Sequence, residues 1–88
     1  MWFQYDPAKA AENVRKHRVS FADAEGVLQD PLALTMEDTD ARGEQRFVSV
    51  GLGSAGELLV VVYALRGDEV RLISARRATA KERRQYEG

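Results

Sequence analysis

Along the 88-residue chain, large and polar side chains alternate over residues 2–5, which predicts a short first strand. Asp6-Pro7 then opens a helix, because Asp6 can accept from the orphan N–H groups of the first turn and Pro7 lacks an N–H where none is needed. That helix is expected to reach about His17. Its apolar face is thin, Ala10 and Val14, while Lys9, Asn13 and Lys16 recur at helical spacing on a polar face, so it should lie on the surface. Ser20, followed three residues later by Asp23, starts a second helix through roughly Leu28, with Phe21, Ala24, Val27 and Leu28 as its buried stripe. Asp30-Pro31 ends it.

The second half reads as strands. Residues 32–36 and 46–52 are strand candidates on either side of an acidic loop, and Gly53-Ser54-Ala55-Gly56 supplies a turn. Residues 58–65 are apolar at every position, the pattern of a central strand covered on both faces. Gly67-Asp68 makes a tight hairpin into residues 70–75, and Thr79-Ala80-Lys81-Glu82 is a capping box for a last helix of about two turns. The order predicts one α+β domain over residues 1–88, with two N-terminal helices, an antiparallel sheet of about four strands and a short C-terminal helix.

Composition narrows the chemistry. Without cysteine there is no disulfide or thiolate metal site, so a modest core must hold by packing alone. A start without a charged leader, and a longest apolar run of eight residues, predict a cytoplasmic protein that does not enter a membrane. The formal charge of −1 hides an uneven distribution. Residues 71–84 carry Arg71, Arg76, Arg77, Lys81, Arg83 and Arg84 against Glu82 alone, while residues 37–44 carry Glu37, Asp38, Asp40 and Glu44 against Arg42.

A single histidine excludes a multi-histidine zinc site, and neither Ser20 nor Ser74 sits in a nucleophile elbow. Residues 38–43 echo a calcium loop but place Arg42 and Ser49 where oxygen ligands are required. The arginines remain. Strict alternation puts Arg71 and Arg76 on opposite faces of the last strand unless a bulge intervenes, and its apolar positions change face too, from Val70 and Leu72 to Ile73 and Ala75. A guanidinium half-buried in a sheet needs an acceptor. An internal carboxylate such as Glu44 or Glu82 serves, and so does a ligand phosphate. Spacing does not choose between them.

The set Tyr5-Asp6-Pro7-x-Lys9, Asn13, Lys16-His17, Val19-Ser20-Phe21, Asp30-Pro31, Glu44-x-Arg46-Phe47, Arg71-x-Ile73-Ser74-Ala75-Arg76-Arg77-Ala78 and Glu82-Arg83 resembles the BrnT toxin family over nearly the whole chain. The resemblance implies a RelE-like fold and a ribonuclease toxin of a type II toxin–antitoxin system. Such a toxin would inhibit translation by metal-free RNA cleavage, without a cofactor. Its partners would be RNA and a BrnA-type antitoxin with a ribbon-helix-helix domain, in a complex that allows a toxin dimer. Arg71 and Arg76 would then hold the scissile phosphate with Arg46 in support, and His17, Glu44, Lys9 or Tyr63 would move protons. Lys16, Arg77, Lys81, Arg83 and Arg84 would meet neighbouring phosphates or antitoxin carboxylates. The alternative is a non-catalytic module that binds RNA or only a partner protein. The family usually has glycine where this chain has Arg18, so a left-handed turn there would cost about 1 kcal/mol.

Overall fold

The computed structural model describes residues 2–39 and 43–88, so Asp40 and Arg42 of the acidic stretch lie outside the described residues. In chain order the elements are β1 (Trp2–Gln4), α1 (Pro7–His17), α2 (Phe21–Leu28), β2 (Leu34–Glu37), β3 (Gln45–Leu52), β4 (Leu58–Arg66), β5 (Glu69–Arg77) and α3 (Ala80–Glu87). Each helix starts where a short polar side chain meets free backbone donors. Asp6 accepts from Ala8 N–H at 2.8 Å, Ser20 from Asp23 N–H at 3.1 Å, and Thr79 from Glu82 N–H at 3.2 Å. Glu82 completes its box by accepting from Thr79 N–H at 2.8 Å.

The sheet has five strands in the order β1-β5-β4-β3-β2. β2 to β5 form the expected antiparallel meander. The expected sheet of about four antiparallel strands is corrected by β1, which pairs with β5 in parallel, Phe3 opposite Val70, and makes the sheet mixed. A strand of three residues carries too little pattern to reveal which edge it will join.

Helices α1 and α2 cover one face. There Val19, Phe21, Ala24 and Val27 pack onto Leu59, Val61 and Tyr63 of β4 and Val70, Leu72 and Ala75 of β5. Gly26 lets α2 approach the β3–β4 turn, since a Cβ at that position would stand 2.4 Å from Ser54 N. Helix α3 touches β3 from the other side, where Gln85 shares an apolar groove with Leu34, Met36, Val48 and Val50. β4 is buried on both faces, as its sequence requires.

Helix α1 corrects its expected polar face. Asn13 is 5% exposed and Val14 44% exposed. Asn13 Nδ2 donates to Ala75 O at 2.8 Å and Val19 O at 2.9 Å, and Oδ1 accepts from Ala75 N–H at 3.0 Å. β1 pairs with β5 only as far as Arg71, so further along that edge the asparagine amide takes the place of a missing strand.

Arg18 closes α1 in the left-handed region, φ 58° and ψ 32°, with its N–H donating to Val14 O. A side chain with a Cβ is strained there, and glycine is not. Arg18→Gly is therefore expected to raise stability by about 1 kcal/mol in urea unfolding. No change, or a loss, would mean that the arginine side chain offsets the strain through contacts of its own.

Candidate functional site

The last strand does not keep strict alternation. Val62 pairs with Ser74 but its neighbour Tyr63 pairs with Leu72, so Ile73 is an extra residue and a bulge. The bulge shifts the phase of everything after it. Arg71 and Arg76, five residues apart, therefore come out on the same side of the sheet, which also explains why the apolar positions of this strand change parity.

Cross-strand partners share a face, so the pairing registers lay that side out in rows. One row runs Arg46, Ala64, Arg71, Gln4; the next Met36, Val48, Val62, Ser74; the next Leu34, Val50, Val60, Arg76. From strand spacings, Arg46 and Arg71 stand about 10 Å apart at the backbone and Arg71 and Arg76 about 13 Å. Long side chains can converge across a patch of that size. This is the face opposite α1 and α2, and each of the three guanidinium side chains is about 40% exposed.

Each arginine has a carboxylate beside it, and in Arg46 and Arg76 the two are hydrogen-bonded. Arg46 Nη2 donates to Glu44 at 3.2 Å, Arg66 Nη2 donates to the other oxygen of Glu44 at 3.0 Å, and Arg71 Nη2 lies 3.8 Å from Glu69. Arg76 is held most tightly. Its Nη1 and Nη2 donate to the two oxygens of Glu82, both at 2.9 Å, and Nη1 also donates to Arg77 O at 3.2 Å. Of the acceptors that spacing left open, the internal carboxylates Glu44 and Glu82 are the ones engaged. The anchoring is incomplete, however. Among the described residues, Arg46 Nε and Arg71 Nε are buried without a partner, and the hydrogen bonds of Arg76 all run from Nη1 and Nη2, none from Nε. A buried N–H without an acceptor is costly, so this face is short of acceptors and suits an anion.

The same ion pairs set the protonation states. Hydrogen bonds from Arg66 and then Arg46 hold the Glu44 carboxyl below its ordinary value. Arg76, followed by the Thr79 N–H, holds Glu82 down to about 2. Both carboxylates are charged near neutrality and weak as proton acceptors. Glu44, expected among the proton-moving groups, acts here as an anchor for two guanidinium groups.

The remaining site residues fall into three places. Lys9, Lys16 and His17 are exposed on α1 and line a groove of about 260 Å³ with Glu12, Asn13, Ile73 and Ser74. Ser74 belongs to both regions, since it lines that groove and sits on the arginine face between Arg71 and Arg76. Tyr63 is not brought to this face. It is 8% exposed among the helix-side core, stacked on Phe47 with ring centroids 5.7 Å apart, and its hydroxyl is 3.1 Å from Ser49 Oγ. Arg77 donates to Glu57 at 2.6 Å and, with Arg83, Leu52 and Tyr86, lines a cleft beside α3. Lys81 and Arg84 are exposed on α3.

Sequence reasoning missed Arg66 and Glu69, which complete the charged end of the face. Arg66 lies two residues beyond Ala64 on the outward phase of β4, the one signal that pointed to it.

A family model described as the ribonuclease toxin BrnT of type II toxin–antitoxin systems matches residues 5–82. The crystal structure of the Brucella abortus ribonuclease toxin BrnT superposes with a TM-score of 0.68, over 90% of this chain and 99% of that one, at 23% identity. At that identity the likeness carries the fold. No curated protein matches the sequence. No helix among the described residues is long and apolar enough to cross a membrane.

Proposed function

The chain belongs to the family of BrnT ribonuclease toxins of type II toxin–antitoxin systems, and from that premise we propose that it cleaves RNA on the arginine face of its sheet, with no metal ion. The observation that carries the proposal is the bulge at Ile73, which sets Arg71 and Arg76 on one face with Arg46, where among the described residues the buried Nε–H groups of Arg46 and Arg71 meet no acceptor.

In the proposed reaction the 2′-hydroxyl next to the scissile phosphate attacks phosphorus and gives its proton to a base. The bond from phosphorus to the 5′-oxygen breaks, and that oxygen takes a proton from an acid. The products are a 2′,3′-cyclic phosphate and a 5′-hydroxyl. Arg71 and Arg76 stabilise the dianionic phosphorane, with Arg46 in support, because their charge is permanent and the N–H groups of Arg76 are held in place beforehand by Glu82. His17 is the first choice for proton transfer and Lys9 the second, since both line the groove that reaches Ser74. Lys16 and the cations of α3 steer neighbouring phosphates. On this proposal the fold is of RelE type.

A type II toxin has an antitoxin, and covering the arginine face would silence this one. The edge strand β2 gives such a partner an apolar footing on that face through Leu34 and Met36, 44% and 70% exposed. A BrnA-type protein carrying a ribbon-helix-helix domain fits the role, and its dimeric domain would bring two toxin chains into one complex. Translation would fall as messenger RNA is cut, in the cytoplasm.

The test is incubation of the purified protein with single-stranded RNA and a chelator. The expected products end in 2′,3′-cyclic phosphate. The carboxylate on every one of the three arginines favours a second possibility, a module that binds RNA or its partner without cutting. Salt-sensitive binding with no product would support that module and reject the nuclease.

A further inference from the structure

We propose that Glu82 is a positioning residue for the cleavage: its carboxylate grips the end of the Arg76 guanidinium and leaves the Nε–Nη2 edge as the part that meets the phosphate. The inference rests on the ribonuclease function proposed above.

A guanidinium has five N–H donors in a fixed plane. In Arg76 the two on Nη1 go to Glu82 Oε1 and Arg77 O, and one on Nη2 goes to Glu82 Oε2. Among the described residues, the donors left over are Nε–H and the second Nη2–H. These two are parallel, the fork that matches two oxygens of a phosphate. A carboxylate placed on that fork would compete with RNA. Placed on the end of the guanidinium, it aims the fork instead.

Glu82 is itself fixed. Its Oε1 also accepts the Thr79 N–H at 2.8 Å, so the first turn of α3 is the mount on which the carboxylate sits. With its carboxyl held down to about 2, Glu82 stays charged through the pH range of ordinary assays, and the grip does not loosen as pH falls toward 5. The Arg76 guanidinium, in turn, has its pKa raised, first of all by the hydrogen bonds to Glu82.

Glutamine at position 82 is the informative change, because it can still complete the capping box but cannot offer two charged acceptors to the guanidinium. Glu82→Gln is expected to lower kcat about 10–100-fold with KM nearly unchanged, the size of effect that a small misplacement of a reacting group produces. Thr79→Ala removes only the capping hydroxyl and keeps both the backbone N–H that Glu82 accepts and the Glu82–Arg76 pair, so it should lower unfolding stability while cleaving within about twofold of wild type at temperatures well below melting.

A second readout does not depend on turnover. An RNA oligonucleotide with the attacking 2′-hydroxyl replaced by hydrogen should move the Arg76 Nε–H resonance in wild type and leave it in place in Glu82→Gln. If wild type fails to cut but shows that difference, the nuclease function falls and the role of Glu82 stands. Glu82→Gln cutting as fast as wild type or faster would overturn the role, and so would a loss of equal size in Thr79→Ala. A wild-type resonance that stays put under saturating oligonucleotide overturns it as well.

Discussion

Arg76→Ala is expected to lower RNA cleavage by about 10²–10³-fold while the protein stays folded, the loss seen when one preorganised donor to a developing oxyanion is removed. The size follows from where Arg76 sits. It shares a face with Arg71 and Arg46, it is held in advance by Glu82, and among the described residues its Nε–Nη2 edge is unfilled. The cost to stability should be small, because its ion pair is about 40% exposed on the arginine side and such pairs are typically worth about 0–1 kcal/mol. Melting should therefore fall by no more than roughly 4–8 °C, the shift that 1 kcal/mol gives in a domain of this size. Arg15→Ala supplies the control. It removes the same charge from an exposed position on α1 whose nearest carboxylate contact is 3.8 Å, and its cleavage should be unchanged. Equal losses in both variants would mean that overall charge, and not this side chain, drives the activity.

The largest effect on stability should come from a polar residue. Asn13→Ala removes three buried hydrogen bonds and leaves the N–H and C=O of Ala75 and the C=O of Val19 without their partner. Each orphaned buried group costs about 1–3 kcal/mol, and water reaching the β5 edge would relieve part of that, so we expect a net loss of about 2–4 kcal/mol. That is a large share of the roughly 4–13 kcal/mol available to 88 residues. Val14→Ala, one residue away, should cost under about 0.5 kcal/mol, because Val14 is an exposed surface position. Urea unfolding of the two variants side by side checks the ordering. A greater loss from Val14→Ala would mean that α1 docks through its apolar side chains and that the amide clamp is incidental.

That ordering also shows where sequence stops being informative. The helix starts were legible because a cap is local: Asp6-Pro7, Ser20 with Asp23 and Thr79 with Glu82 each carry their own donors and acceptors. β4 was legible because nine residues with one polar end state their burial plainly. Asn13 was not, since its reason for being inside is an unpaired stretch of backbone 62 residues further along the chain. β1 was half legible, as a strand but not as a partner of β5.

The site divides in the same way. That arginines carry the chemistry could be read from their clustering, and the break in alternation at Ile73 was visible as an anomaly. Its outcome was not, because whether a bulge forms depends on the register β5 takes against β4. Tyr63 is the converse case. Its position in an all-apolar strand left the face undetermined, and the register places it with Phe47 and Ser49, across the sheet from the arginines. The carboxylates beside Arg46, Arg71 and Arg76 come from loop, strand and helix positions that only the fold unites.

The central claim is that the bulge gathers Arg71 and Arg76 onto one phosphate. Cleavage rates of Arg71→Ala, Arg76→Ala and the double variant, measured with one RNA in chelator, test it most directly. Residues that act as a unit are strongly non-additive, so the double variant should be little slower than the worse single one. Two losses that multiply would place the arginines on separate phosphates and contradict the account.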